Sequence, residues 1–155
     1  MSRSRICVAS FAGFAALCAA ELAIAAPLTE AASPKPAKIE LRSTSLGKVI
    51  SNGSGFTLYV FTRDKKNVDT CVKVSSCTAS WPVVKTNGKP LAETGVKSSL
   101  LGTITLAHGI KQVTYAGHPL YGFVEDSGPG ETEYVGTPAF GGTWYAINAA
   151  GKIVR

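Results

Sequence analysis

The chain has 155 residues, 16 Lys and Arg against 10 Asp and Glu, 45% hydrophobic residues and 17% charged ones. That length accommodates one ordinary domain and excludes a multidomain enzyme, and the apolar share excludes wholesale disorder. No apolar run reaches the 18 residues of an obligatory membrane span.

The chain opens with Met-Ser-Arg-Ser-Arg, an apolar stretch from Ile6 to Ala20, and Ala23-Ile24-Ala25. Basic n-region, short h-region and small-x-small site predict a signal peptide over 1–25, cleaved after Ala25, and a periplasmic or secreted destination. Lipid attachment at Cys18 is disfavoured, because Leu17 occupies the place where a bacterial lipobox has a small residue. Cleavage leaves no transmembrane segment. It also removes Arg3, Arg5 and Glu21, leaving 14 basic and 9 acidic side chains, net +5. Scattered lysines at that charge argue against nucleic acid and allow weak attraction to anionic envelope polymers. Cys7 and Cys18 go with the signal, so Cys71 and Cys77 remain, with five residues between them. In an oxidising compartment the simplest outcome is one disulfide, closing a small loop and adding about 2 kcal/mol at most. A redox pair or a metal site is the sharper alternative, although the spacing is neither Cys-x-x-Cys nor Cys-x-x-Cys-His.

Residues 26–39 are rich in Ala and Pro and read as a linker; the domain is expected over 40–155. Short β-branched and aromatic runs predict strands at 46–51, 56–63, 101–107, 111–116, 119–125, 143–148 and 152–154. Turns are expected at 51–55, 107–109, 116–119 and 149–151. A short helix is expected from Cys77 to Trp81, ended by Pro82, and a further turn over 96–101. The expected fold is all-β, a small antiparallel meander.

Sliding the sequence over itself by 62 residues places Gly55 on Gly117, Leu58 on Leu120, Tyr59 on Tyr121, Phe61 on Phe123 and Asp64 on Asp126. With one further residue, Trp81 falls on Trp144. Two related β units, about 46–84 and 111–154, follow from this. On a strand Tyr59 and Phe61 share one face against Leu58 and Val60, and Tyr121 and Phe123 repeat this against Leu120 and Val124. Asp64 and Asp126 stand where the apolar runs stop, positioned to cap the next turn. The expected packing sets each Tyr/Phe pair on the Trp of its own unit. The alternative reads the two hydroxyls and two carboxylates as paired polar sites for a cation or a sugar.

These residues resemble those of a family of secreted bacterial repeat proteins, often labelled predicted lipoproteins, with a Tyr-x-(aromatic)-x-x-Asp motif. The resemblance spans about 45–154 and rests on Gly55–Asp64, Cys77-Thr-Ala-Ser-Trp81-Pro82, Gly117–Asp126 and Gly142-Thr-Trp144-Tyr145. It implies an exported, repeat-built domain and no mechanism.

No catalytic constellation is legible. The histidines are His108, in a turn, and His118, opposite Phe56 in the repeat and only a weak metal candidate; no Gly-x-Ser-x-Gly elbow occurs. The mature chain has no methionine, which removes Met-ligated copper and haem. Gly128-Pro129-Gly130 and Gly141-Gly142 lack the context of phosphate loops. Glu125, Asp126, Glu131 and Glu133 lack the spacing of a calcium loop. The expectation is a non-catalytic, cofactor-free interaction module of the envelope or extracellular space, with an envelope polymer or protein as partner. The alternatives are a periplasmic redox or metal-handling accessory using Cys71, Cys77 and His118, and a carbohydrate-binding module with exposed Tyr and Trp faces.

Overall fold

A computed structural model describes residues 35–155. The signal segment, its cleavage site, Cys7, Cys18 and most of the linker lie outside the described residues.

The strands in chain order are β1 Lys38–Thr44, β2 Gly47–Asn52, β3 Tyr59–Phe61, β4 Leu91–Ala92, β5 Leu101–Thr105, β6 Lys111–Tyr115, β7 His118–Pro119, β8 Thr137–Ala139, β9 Gly142–Ile147 and β10 Ile153–Val154. One helix, α1, covers Cys77–Ser80, and single 3-10 turns cover Cys71–Lys73, Ser98–Leu100 and Ala107–Gly109. Three small sheets result, ordered β2-β1-β4, β10-β9-β3 with β8 on β9, and β5-β6-β7. All pairings are antiparallel except β1 with β4.

The first strand departs from expectation. β1 begins inside the residues read as linker, and Ile39 there is fully buried. Lys38-Ile-Glu-Leu41 alternates polar with apolar, a strand period that the neighbouring Ala/Pro composition obscures. The strand expected over 119–125 is a continuous ladder only at its start, in β7, and beyond Pro119 it pairs by single bridges and backbone bonds to two different segments. Val124, which shares a strand face with the buried Leu120, is 57% exposed.

The duplication is visible in the register. β1 pairs β2 with Leu41 opposite Ile50, and β5 pairs β6 with Thr103 opposite Val113, the partners displaced by 62 and 63 residues because the second hairpin has one more residue at its tip. Each unit is thus a hairpin, a Tyr strand, a loop and a Trp strand. The units do not pack as neighbours; they exchange strands. β3 of the first unit pairs β9 of the second, Phe61 facing Trp144. In return residues 120–124 run antiparallel to 80–84, through Val84 N–H to Leu120 O (3.0 Å), Gly122 N–H to Pro82 O (2.9 Å) and Val124 N–H to Ser80 O (3.1 Å). At the centre Tyr59 and Tyr121 exchange both backbone bonds, N–H to O at 2.8 and 3.0 Å.

Strand alternation then sorts the core into two clusters. Leu58, Val60 and Leu120 join Ile39, Ile50, Val113, Tyr115 and Ile147 on one side. Tyr59, Phe61 and Tyr121 join Trp81, Trp144, Cys71 and Cys77 on the other. If each unit is completed by the other, neither folds alone. Fragments 35–100 and 101–155 should each lack a cooperative thermal transition and regain it when mixed, as followed by far-UV circular dichroism. A cooperative transition in either isolated fragment contradicts the exchanged-strand account.

Candidate functional site

The motif residues meet across the exchanged strands. Tyr59 donates from its hydroxyl to Asp126 Oδ1 at 3.0 Å, and Tyr121 donates to Asp64 Oδ2 at 2.7 Å. Each tyrosine is therefore bound by the aspartate of the other unit. The aromatic packing is likewise mixed, which corrects the expectation that each pair rests on its own tryptophan. Phe61 stacks on Trp144 (4.3 Å) and Trp144 on Trp81 (4.0 Å, 3° between planes), and Phe123 packs tilted against Trp81 (4.1 Å, 31°). Only the tyrosines meet their own unit's Trp, edge-on, Tyr59 to Trp81 and Tyr121 to Trp144. Strand exchange is the cause, since the residue opposite Phe61 belongs to β9.

The two aspartates differ. Asp64 caps its turn, accepting Thr70 N–H at 2.7 Å and Thr70 Oγ1 at 2.8 Å as well as the tyrosine. Burial raises its pKa, and these bonds oppose the rise. Asp126 has no turn amide; its Oδ2 is shut from solvent without a partner. Burial pushes its carboxyl up to about 6, the Tyr59 bond opposing and Glu131 adding to the rise. Both phenols are raised above their ordinary value by burial and by the adjacent carboxylate, which keeps them donors.

Cys71 and Cys77 form the expected disulfide, and both are fully buried. His118 lies half-buried on β7 with its pKa lowered by desolvation, and His108 is exposed at the tip of the β5–β6 hairpin. The acidic loop closes on itself, Glu131 accepting Ser127 N–H (2.7 Å) and Ser127 Oγ (2.6 Å). Among the described residues no three His, Cys, Asp or Glu side chains gather as metal ligands. Trp81, Trp144, Tyr59, Tyr115 and Tyr121 are all buried, so they offer no platform to a sugar ring.

Sequence reasoning missed a cleft of about 710 Å³ between the disulfide segment and the β5–β6 hairpin. Val68, Val72 and Val83 face Ile104, Leu106 and Ile110 across it, with Lys73 and Lys85 also lining it. The signal was present in the repeat. Ile104 and Leu106 occupy the places of Arg42 and Thr44 in the first hairpin, an exchange of polar for apolar on a surface element.

These features define a class: an all-β domain made by duplication, each half completed by the other, with its motif chemistry turned inward. The chain belongs to the family described as a secreted repeat of unknown function, which it matches over residues 41–85 and 102–148, one segment in each unit. No curated protein and no solved structure matches it. Among the described residues no helix is long and apolar enough to cross a membrane.

The asymmetry of the aspartates has measurable consequences. Asp64→Ala leaves Thr70 and the Tyr121 hydroxyl without an acceptor and should cost about 2 kcal/mol. Asp126 acts through pH. Its folded pKa of about 6 lies above the unfolded value of about 3.9, so its stabilising contribution is complete below pH about 4 and lost as pH rises through about 6. Because the group is partly exposed, solvent screening reduces this to about 1 kcal/mol. Asp126→Asn should flatten the Tm-against-pH profile between pH 4 and 7 relative to the parent; an unchanged slope would assign the effect elsewhere. The buried disulfide should yield no free thiol to reagent under mild reduction of the folded protein, and two thiols once the chain is unfolded in reductant.

Proposed function

We propose that this chain is a non-catalytic interaction module of the cell envelope or extracellular space, and that its working surface is the disulfide cleft. What supports this reading above all is where the motif side chains are spent. Tyr59, Tyr121, Asp64 and Asp126 bind one another across the two units, and Phe61 and Phe123 are consumed in the ring stack. The motif holds the domain together. Recognition then falls to features that differ between the units, and the cleft is one such difference. The alternatives lack equivalent support: a redox or metal role needs accessible sulfurs, and both cysteines are bonded and buried.

The reading separates stability from binding. Tyr59→Phe and Tyr121→Phe should each lower Tm yet leave co-sedimentation with isolated cell-wall and membrane fractions unchanged. Val72→Asp, at an exposed position, should keep the parental Tm and lose that co-sedimentation. The opposite pattern, with binding lost in folded tyrosine variants and kept in Val72→Asp, would return the function to the motif.

A further inference from the structure

The cleft is a product of broken symmetry, and this carries an inference about its ligand that rests on the reading above. At the corresponding place in the duplicate, the loop of the second unit is tied down onto the β1–β2 hairpin and the segment that follows it. Ser45 Oγ and Thr132 Oγ1 share a hydrogen bond at 3.1 Å, Thr57 Oγ1 donates to Glu131 O, and Gly130 N–H donates to Gly55 O at 2.9 Å. In the first unit only the last of these ties has a counterpart, Asn67 N–H to Gly117 O at 2.7 Å. The positions of Ser45 and Thr57 are taken by Ala107 and Pro119, which have no hydroxyl to offer. The gap that hydrogen bonds close in one unit therefore stands open in the other.

What lines the open gap is selective. Ile104, Leu106 and Ile110 on the hairpin are half-buried, and Val68 and Val72 opposite are 42% and 44% exposed. A volume of about 710 Å³ lies within the range of small-molecule sites. Lys73 and Lys85 line it, and neither has an ion pair among the described residues, where Lys38 and Arg42 do. Asp69 is its one acidic lining residue. That carboxylate is withdrawn into the wall, 4% exposed, with Oδ1 accepting Val72 N–H at 3.0 Å and Oδ2 shut from solvent. The surface offered to a ligand is mainly apolar, with two ammonium groups that have no ion pair among the described residues.

We propose that the cleft binds a small amphiphilic anion: an aromatic or short acyl body carrying one acidic group, the body against the valine and isoleucine walls and the acid met by Lys73 and Lys85.

Two dyes sharing one apolar body test this on the purified chain. 8-Anilinonaphthalene-1-sulfonate carries an anionic group and N-phenyl-1-naphthylamine lacks it. The sulfonate should bind at one site per chain and at least about tenfold more tightly than the neutral dye. Lys73→Glu and Lys85→Glu should each bring the sulfonate to the neutral dye's affinity without moving the neutral dye. Val68→Asp and Val72→Asp, checked for parental Tm, should weaken both. Equal affinity for the two dyes, or lysine variants that leave the sulfonate unmoved, would overturn the anion class and leave the cleft standing as an apolar site. Failure of both dyes to bind, or full binding to both valine variants, would overturn the cleft itself and the preceding reading with it.

Discussion

The reciprocal backbone pair between Tyr59 and Tyr121 is the constraint on which the structure depends. Two equivalent residues of a duplicated sequence exchange both hydrogen bonds, so the strands run antiparallel about a point of local two-fold likeness. That pairing sends each phenol toward the loop of the other unit, where the aspartate five residues beyond the other tyrosine receives it. A slip of one residue would turn both tyrosines to the opposite face and strand both carboxylates. The same register brings the two tryptophans together, because the strand that carries each one pairs with the Tyr strand of the other unit. A motif with this geometry is useful only in duplicate, since each copy supplies what the other lacks.

Duplication gives two similar halves, and divergence between them is where specific behaviour enters. Asp64 accepts from the turn's Thr70 amide and hydroxyl as well as from the tyrosine, whereas Asp126 keeps the tyrosine alone. Burial raises both carboxyls, and it is opposed by three hydrogen bonds at Asp64 and by one at Asp126. The hairpins diverge in the same manner: Arg42 and Thr44 give way to Ile104 and Leu106, and the hydroxyls of Ser45 and Thr57 to Ala107 and Pro119. Each change removes polarity or a tie, and together they leave an apolar opening.

Much of the fold was legible in the sequence because its signals are local or periodic. Alternation located β2, β5, β6 and β9, and self-comparison found the two units without any structural information. β1 was hidden by composition, since Pro36 and the alanines around it outweighed the short alternation that follows. The exchange of strands was illegible for a different reason: a repeat offset reports likeness and contains no term for which copy pairs with which. The motif side chains were singled out correctly as residues, but whether the tyrosine meets its own aspartate or the other depends on that missing information. The cleft left a trace in the mismatched pairs of the aligned hairpins, readable once likeness between the units is taken as a baseline and departures from it as the signal.

The disulfide follows from the same logic. In the second unit the loop between the Tyr and Trp strands is held by the hairpin ties and by β8, whose Thr137–Ala139 pair with Trp144–Gly142 of β9. The first unit has no counterpart of β8, and two of its three hairpin ties are gone. A segment so released would lose its order to conformational entropy. Cys71 and Cys77 stand where the second unit has Glu133 and Ala139, and their bond confines the segment on itself, with both sulfurs packed in the aromatic cluster beside Trp81. The staple thus occurs in the unit that needs it, and it holds Val68, Val72 and Lys73 in place without drawing them onto the hairpin. An open cleft with an ordered wall requires an anchor that does not span the gap, and a buried disulfide within one wall meets that requirement.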